Sequence, residues 1–166
     1  MASNNNRQLR IDVVDSVIED VDSEIKILDH LSSSYDIYVA QGKTHLELKM
    51  YEEAIHNFDS ATKIKPSEPD NWNSKGCALT GLGKYEQAIE CYDKALEIDP
   101  NYAYTWYNRA SCNIKMGNID SVFLDLEKAI QIGKREYIEL AKQDEDFESI
   151  RNDNHFKALV SYLLQF

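Results

Sequence analysis

The 166-residue sequence lacks any long apolar run, any cluster of basic residues and any paired-cysteine motif. Its apolar stretches are too short to cross a bilayer, and its polar start, Met-Ala-Ser-Asn-Asn-Asn-Arg, does not resemble a secretory signal. The net charge is −11 and the lysines and arginines are scattered, so we expect neither nucleic acid nor a membrane surface as a partner. Three cysteines without CxxC spacing suit a reducing compartment. These absences predict a cytoplasmic protein.

The sequence also lacks the short motifs of common catalytic, metal and cofactor sites. It contains no HExxH, no GxxxxGK[ST] and no GxGxxG, and its four histidines are dispersed. Acidic pairs such as Asp144 and Asp146 are expected by chance on so acidic a surface. We therefore expect a protein that is not an enzyme, with no catalytic residues, no cofactor and no metal site. For His45, we expect a partly buried structural role.

What the sequence does contain is a pattern that recurs every 34 residues, marked first by Tyr38, Trp72 and Trp106. Five further columns keep the same step: Gly42, Gly76 and Ala110; Ala54, Ala88 and Val122; Phe58, Tyr92 and Leu126; Ala61, Ala95 and Ala129; and Pro66, Pro100 and Lys134. A fixed period of this length is typical of a repeat architecture in which each unit packs on its neighbours.

Each column has a physical reason. Glycine and alanine let the two helices of a unit approach closely, so Gly76→Leu should unfold the array. Proline ends the second helix, since it fixes φ and has no N–H. Gly83 and Gly117 allow the chain to reverse between the two helices, whereas Lys49 and Met50 make this turn in the first unit without glycine.

At these columns the sequence resembles the tetratricopeptide-repeat (TPR) family, from Tyr35 to Glu136. The third unit departs from the family pattern at Val122, Leu126 and Lys134. The resemblance implies an all-α fold, a right-handed α-solenoid of helix-turn-helix units with N- and C-terminal capping helices. The predicted segments are a polar tail with an acidic helix (1–34), three repeats (35–68, 69–102 and the degenerate 103–136) and C-terminal capping helices (137–166).

The C-terminal segment resembles a terminal segment found in many bacterial and archaeal repeat proteins of this family. Its apolar residues recur at helical spacing and should close the last unit: Phe147, Ile150, Phe156, Leu159 and Val160. Asp144 and Asp153 stand just before these apolar runs, where helix N-caps belong.

The N-terminal segment shows a seam with heptad-like spacing. The seam consists of Ile11, Val14, Ile18, Val21, Ile25 and Leu28, and acidic residues occupy the other faces: Asp12, Asp15, Glu19, Asp20, Asp22 and Glu24. This pattern predicts one helix of about 20 residues that ends before Ser32. Three roles stay open: a cap on the first repeat, a seam for a homodimer, or a helix lying in the protein's own groove.

The resemblance implies that the first helix of each unit lines a concave groove that binds a peptide segment or helix of a partner protein. The candidates carried over by position are Lys43, Asn73, Cys77, Tyr104, Tyr107, Asn108 and Ser111. Asparagine amides can hydrogen-bond a peptide backbone, and tyrosines are good anchors, so Tyr107→Ala should weaken binding without much loss of helicity.

Family members that grip the C-terminal carboxylate of a chaperone carry lysines, asparagines and an arginine at five groove positions. Here those positions hold Val39, Lys43, Ser74, Tyr104 and Asn108. Lys43 alone cannot form a bidentate grip, so a chaperone C-terminal tail is not an expected partner. The expected function is a protein-protein interaction scaffold or adaptor; the alternative is a structural protein that dimerises through the N-terminal helix.

Overall fold

The computed structural model describes the backbone of residues 2–162 and the side chains of residues 23, 24 and 26–161. Over this part of the chain the secondary structure is entirely helical, which confirms the all-α solenoid prediction. The helices are α1 (Ala2–Glu47), α2 (Tyr51–Ile64), α3 (Pro69–Gly81), α4 (Tyr85–Ile98), α5 (Ala103–Met116), α6 (Ile119–Gly133), α7 (Arg135–Gln143), a 3₁₀ helix (Glu145–Ile150) and α8 (Asn154–Tyr162). None of the described helices is long and apolar enough to cross a membrane. Contacts divide the chain into two units, 1–37 and 38–166.

The second unit is built from helix pairs that pack through one small residue each. A Cβ atom at Gly42 would lie 2.9 Å from the ring of Phe58, and one at Gly76 would lie 2.6 Å from the ring of Tyr92. Both distances are shorter than real Cβ contacts, so the first two pairs need glycine at this column. This contact supports the sequence prediction of a close helix-helix approach.

The two helices of each pair are joined by a residue in the left-handed conformation. Gly83 has a φ of +73° and Gly117 a φ of +78°, as expected of turn glycines. Lys49 occupies the same place in the first pair with a φ of +58°, a conformation that costs a residue with a Cβ about 1–2 kcal/mol. The first turn is therefore the more strained of the three.

The tryptophan column also makes a contact that the sequence alone did not indicate. The indole Nε1 of Trp72 donates to the backbone oxygen of Pro66 at 2.8 Å, and Trp106 donates to Pro100 at the same distance. Each bond ties the start of a repeat to the end of the preceding one. The proline therefore acts as an acceptor in addition to ending its helix.

An arginine on α5 connects three helices. The Arg109 guanidinium donates two hydrogen bonds to the Asp125 carboxylate on α6, at 2.6 and 3.0 Å, and a third to Asp93 on α4. It also lies 4.6 Å from the ring centre of Trp106. Asp125 is buried, so the two-point contact compensates a charge that would otherwise be costly.

The C-terminal segment packs on the last repeat as predicted. Phe147, Ile150, Phe156 and Val160 are buried in one core with residues of α5 and α6, and Leu159 packs against that core. Asp144 accepts from the backbone N–H of Asp146 at 3.0 Å, and Asp153 accepts from that of His155 at 2.7 Å. Both side chains are therefore N-caps, which confirms the two cap predictions.

The prediction that the N-terminal helix ends before Ser32 is wrong. Helix α1 continues through Ser32–Ser34 to Glu47. The Ser34 hydroxyl donates to the carbonyl oxygen of His30 one turn earlier, at 2.9 Å, so this serine bonds within the helix and does not end it. Of the predicted seam, Leu28 lies among the described side chains, whereas Ile11, Val14, Ile18, Val21 and Ile25 lie outside them.

Candidate peptide-binding groove

The first helices of the three repeats carry all seven candidate residues, and the structure connects several of them across repeats. The Lys43 ammonium on α1 lies 2.8 Å from a carboxylate oxygen of Asp70 on α3. The other Asp70 oxygen accepts from the Tyr102 hydroxyl at 2.9 Å. The side chains of Lys43 and Asp70 are 52% and 40% exposed, so this pair joins the first two repeats and still faces solvent.

A second connection joins α3 to α5. The Asn108 amide nitrogen donates to the Asn73 oxygen at 3.0 Å and to the Cys77 sulfur at 3.3 Å. Asn73 is only 1% exposed, whereas Cys77 and Asn108 are partly exposed. The structure therefore assigns Asn73 to the helix-helix contact and leaves Asn108 at the edge of the groove.

The Cys77 side chain is a neutral thiol. Burial raises its pKa to about 11, and the Tyr92 hydroxyl lies within 3.7 Å of its sulfur. A thiol with so high a pKa is a poor nucleophile at neutral pH. Burial also raises the pKa of Cys91 to about 11. Over the described side chains, histidine, cysteine, aspartate and glutamate form no group of three placed to hold a metal ion.

The two tyrosine candidates on α5 differ sharply in exposure. Tyr104 is 48% exposed and its ring lies 6.4 Å from that of Tyr102, so it presents an aromatic face to solvent. Tyr107 is 7% exposed, because its ring packs against Phe147 and Tyr137 at centroid distances of 5.5 and 5.6 Å. As an exposed anchor for a partner, Tyr104 is the better placed of the two.

The chain's own C-terminal segment occupies the third-repeat end of the candidate surface. The Tyr107 hydroxyl donates to an Asp144 carboxylate oxygen at 2.6 Å, and burial followed by this bond raises the pKa of Tyr107. Ser111 donates to Asp146, which also pairs with Lys115. Sequence reasoning treated Asp144 and Asp146 as ordinary surface acids apart from the N-cap role of Asp144. The groove positions of α5 directed toward this segment are thus already satisfied.

Comparison with known families identifies the repeats. Models of the tetratricopeptide repeat match residues 35–68, 69–102 and 91–122. The chain belongs to the tetratricopeptide-repeat family. Curated proteins give no match to this TPR chain by sequence.

Solved TPR structures share the fold. The crystal structure of MamA superposes with a TM-score of 0.67 at 18% identity, over 84% of this chain and 82% of that one. The TPR2B domain of yeast Sti1, solved as a complex with an Hsp70 peptide, has a TM-score of 0.58 at 20% identity, over 78% and 98% of the two chains. The first TPR domain of Spaghetti (RPAP3), bound to the HSP90 peptide SRMEEVD, has a TM-score of 0.59 at 15% identity, over 81% and 93%.

A cleft of about 660 Å³ lies elsewhere in the TPR array and contains none of the seven candidates. It lies between α4, α5 and α6, and its lining includes Arg109, Asp93 and Asp125. These three side chains bond to one another, so they are not free to bind a ligand. The size of this cleft is that of a small-molecule site, but its charged groups have a structural role.

Proposed function

We propose that this TPR chain is a non-enzymatic adaptor that binds a peptide segment or helix of a partner protein. The contact surface is the face of α1, α3 and α5 that carries Lys43, Asp70, Tyr104 and Asn108. The observation that carries the proposal is that these residues connect adjacent repeats and remain partly exposed. An ammonium, a carboxylate, an amide and a phenol in one line offer donors, acceptors and an aromatic contact to an extended chain. A reducing compartment such as the cytoplasm suits its three unpaired cysteines.

Peptides selected from a random display library test this surface. Tyr104→Ala and Lys43→Ala should each weaken the selected peptides about fivefold or more, which corresponds to about 1 kcal/mol of lost contact energy. Lys94→Ala is the matched control for Lys43→Ala, because Lys94 is 56% exposed and also pairs with one carboxylate, that of Glu97. Equal affinity of the Lys43, Tyr104 and Lys94 variants would refute the surface assignment.

We further propose that the groove does not take the C-terminal tail of a chaperone, although TPR neighbours are solved with such peptides. The one lysine at a clamp position, Lys43, already pairs with Asp70, and two other clamp positions hold Val39 and Ser74. Labelled SRMEEVD peptide should therefore show no saturable binding at micromolar concentration. Micromolar binding that disappears when the peptide's C-terminal carboxylate is amidated would contradict this proposal.

The alternative function, a homodimer formed through the N-terminal helix, is favoured by the exposure of Leu28, which is 64% exposed. Sedimentation of the chain with and without residues 1–34 tests it. A dimer that becomes a monomer on truncation supports it, and a monomer in both cases excludes it.

A further inference from the structure

The N-terminal part of α1 presents an apolar face that nothing covers among its described residues. Ile27 is 59% exposed, Leu28 64% and Leu31 42%, so three large aliphatic side chains within one and a half turns face solvent. Isolated exposed aliphatic residues are ordinary on a protein surface, whereas a contiguous apolar stripe marks an interaction site. The backbone is helical from Ala2, so the heptad spacing of the sequence falls on one continuous helix.

Charge along this helix is arranged on one edge of the seam. Aspartate recurs every seven residues, at Asp15, Asp22, Asp29 and Asp36, which is the e position of a heptad whose a and d positions form the seam. The g positions on the other edge hold Val17, Glu24 and Leu31. Of these edge residues, Glu24, Asp29 and Asp36 are described and all three are exposed. Between residues 11 and 36, neither edge carries a lysine or an arginine.

This charge pattern disfavours pairing with a second copy. In a parallel pair the g position of one helix faces the following e position of the other, which would place Glu24 against Asp29 of the second copy. In an antiparallel pair the e positions face each other, which would place aspartates against aspartates. Like charges at these positions destabilise a helix pair and exclude the wrong partner.

We propose that the exposed seam of α1 binds an amphipathic helix of another protein whose apolar seam is flanked by lysine or arginine. The apolar side chains of the two helices interdigitate, and the basic residues lie opposite the aspartate column. This surface is separate from the groove residues on α3 and α5. The proposal therefore does not depend on the function proposed for the groove.

Three synthetic peptides of about four heptads test it with the full chain. The first has isoleucine and leucine at its seam and lysine at positions e and g; the second has glutamate at those positions; the third has the first peptide's composition in scrambled order. Fluorescence anisotropy should show that the first binds about tenfold or more tightly than the other two, and that its binding weakens at high salt. Equal binding of the first and third peptides would overturn the proposal, since it would show attraction to net charge alone.

Charge reversal provides the sharper test. The double variant Asp22→Lys, Asp29→Lys should prefer the acidic peptide, and Leu28→Glu should lose both peptides. The matched control, Glu52→Lys with Glu90→Lys, changes the net charge equally at exposed sites on α2 and α4 and should keep the original preference. Lys43→Ala, which affects the groove, should also bind the basic peptide normally. A free chain that is a dimer, and that Leu28→Glu converts to a monomer, would instead show that the seam contacts a second copy and would overturn the proposal.

Discussion

At the scale of single residues, the distance between the two helices of each repeat depends on one small side chain and the large side chain opposite it. The pair is Gly42 with Phe58 in the first repeat and Gly76 with Tyr92 in the second. In the third repeat the same columns hold Ala110 and Leu126, and both are fully buried. The extra methyl of alanine thus accompanies a smaller partner, as expected if the two columns share a fixed volume.

Exchanging the second pair for the third pair should reveal this coupling. In the native background, Gly76→Ala places a methyl group 2.6 Å from the Tyr92 ring, and overpacking outweighs the gain in helix propensity. In the Tyr92→Leu background the same change should be neutral or stabilising. Urea unfolding of the four proteins should give a coupling free energy of about 1–2 kcal/mol. Gly83→Ala, where no atom lies within 4 Å of the added methyl, serves as the control and should show no coupling with Tyr92.

At the scale of helices, α5 is held to both neighbouring second helices by charge. Arg109 bonds to Asp93 on α4 and to Asp125 on α6, and Asn113 also donates to Asp125, at 2.9 Å. The Asp125 side chain is 3% exposed, so its charge depends on Arg109 for compensation. The network therefore fixes the position of α5 and, through it, the groove residues Tyr104 and Asn108.

Arg109→Met should be strongly destabilising because it leaves the Asp125 carboxylate buried without a cation. The expected loss is about 3–5 kcal/mol in the free energy of unfolding. Adding Asp125→Leu should recover much of it, although Asn113 then loses an acceptor. Lys94→Met, which removes an exposed pair with Glu97, should cost less than about 1 kcal/mol. Similar losses in the two single variants would show that the buried network has no special role.

At the scale of the whole molecule, the C-terminal segment both closes the core and fills part of the candidate groove. Phe147 is fully buried, and Asp144 and Asp146 satisfy the polar groups of Tyr107 and Ser111. The sequence-based expectation for Tyr107→Ala was weaker binding with little structural cost. The buried position of the ring changes that expectation to a loss of stability.

Tyr107→Ala should lower the free energy of unfolding by about 3–4 kcal/mol, because it removes the ring contacts with Phe147 and Tyr137. Tyr107→Phe keeps the ring and should cost about 1–2 kcal/mol for the bond to Asp144. Tyr104→Ala, on the same helix but half-exposed, is the control and should cost less than about 1 kcal/mol. Hydrogen exchange of residues 144–150 should quicken in the first variant alone. Equal losses at positions 104 and 107 would contradict this account.

The sequence by itself determined the features that depend on one residue's backbone or volume. Gly83 and Gly117 require a left-handed turn, Asp144 and Asp153 cap helices locally, and Gly76 leaves space that only a large neighbour fills. These features are visible without a fold because each repeats with the period of 34 residues or follows from a short local pattern.

Only the tertiary structure decided which groove candidates are available. Asn73 is buried by its bond to Asn108, 35 residues away, and Tyr107 by its contacts with the C-terminal segment. A position in the repeat predicts the face on which a side chain lies, but what covers that face depends on how distant helices stack. The length of α1 was missed because the Ser34 hydroxyl bonds within the helix, and a local pattern does not reveal whether a serine ends a helix or continues it.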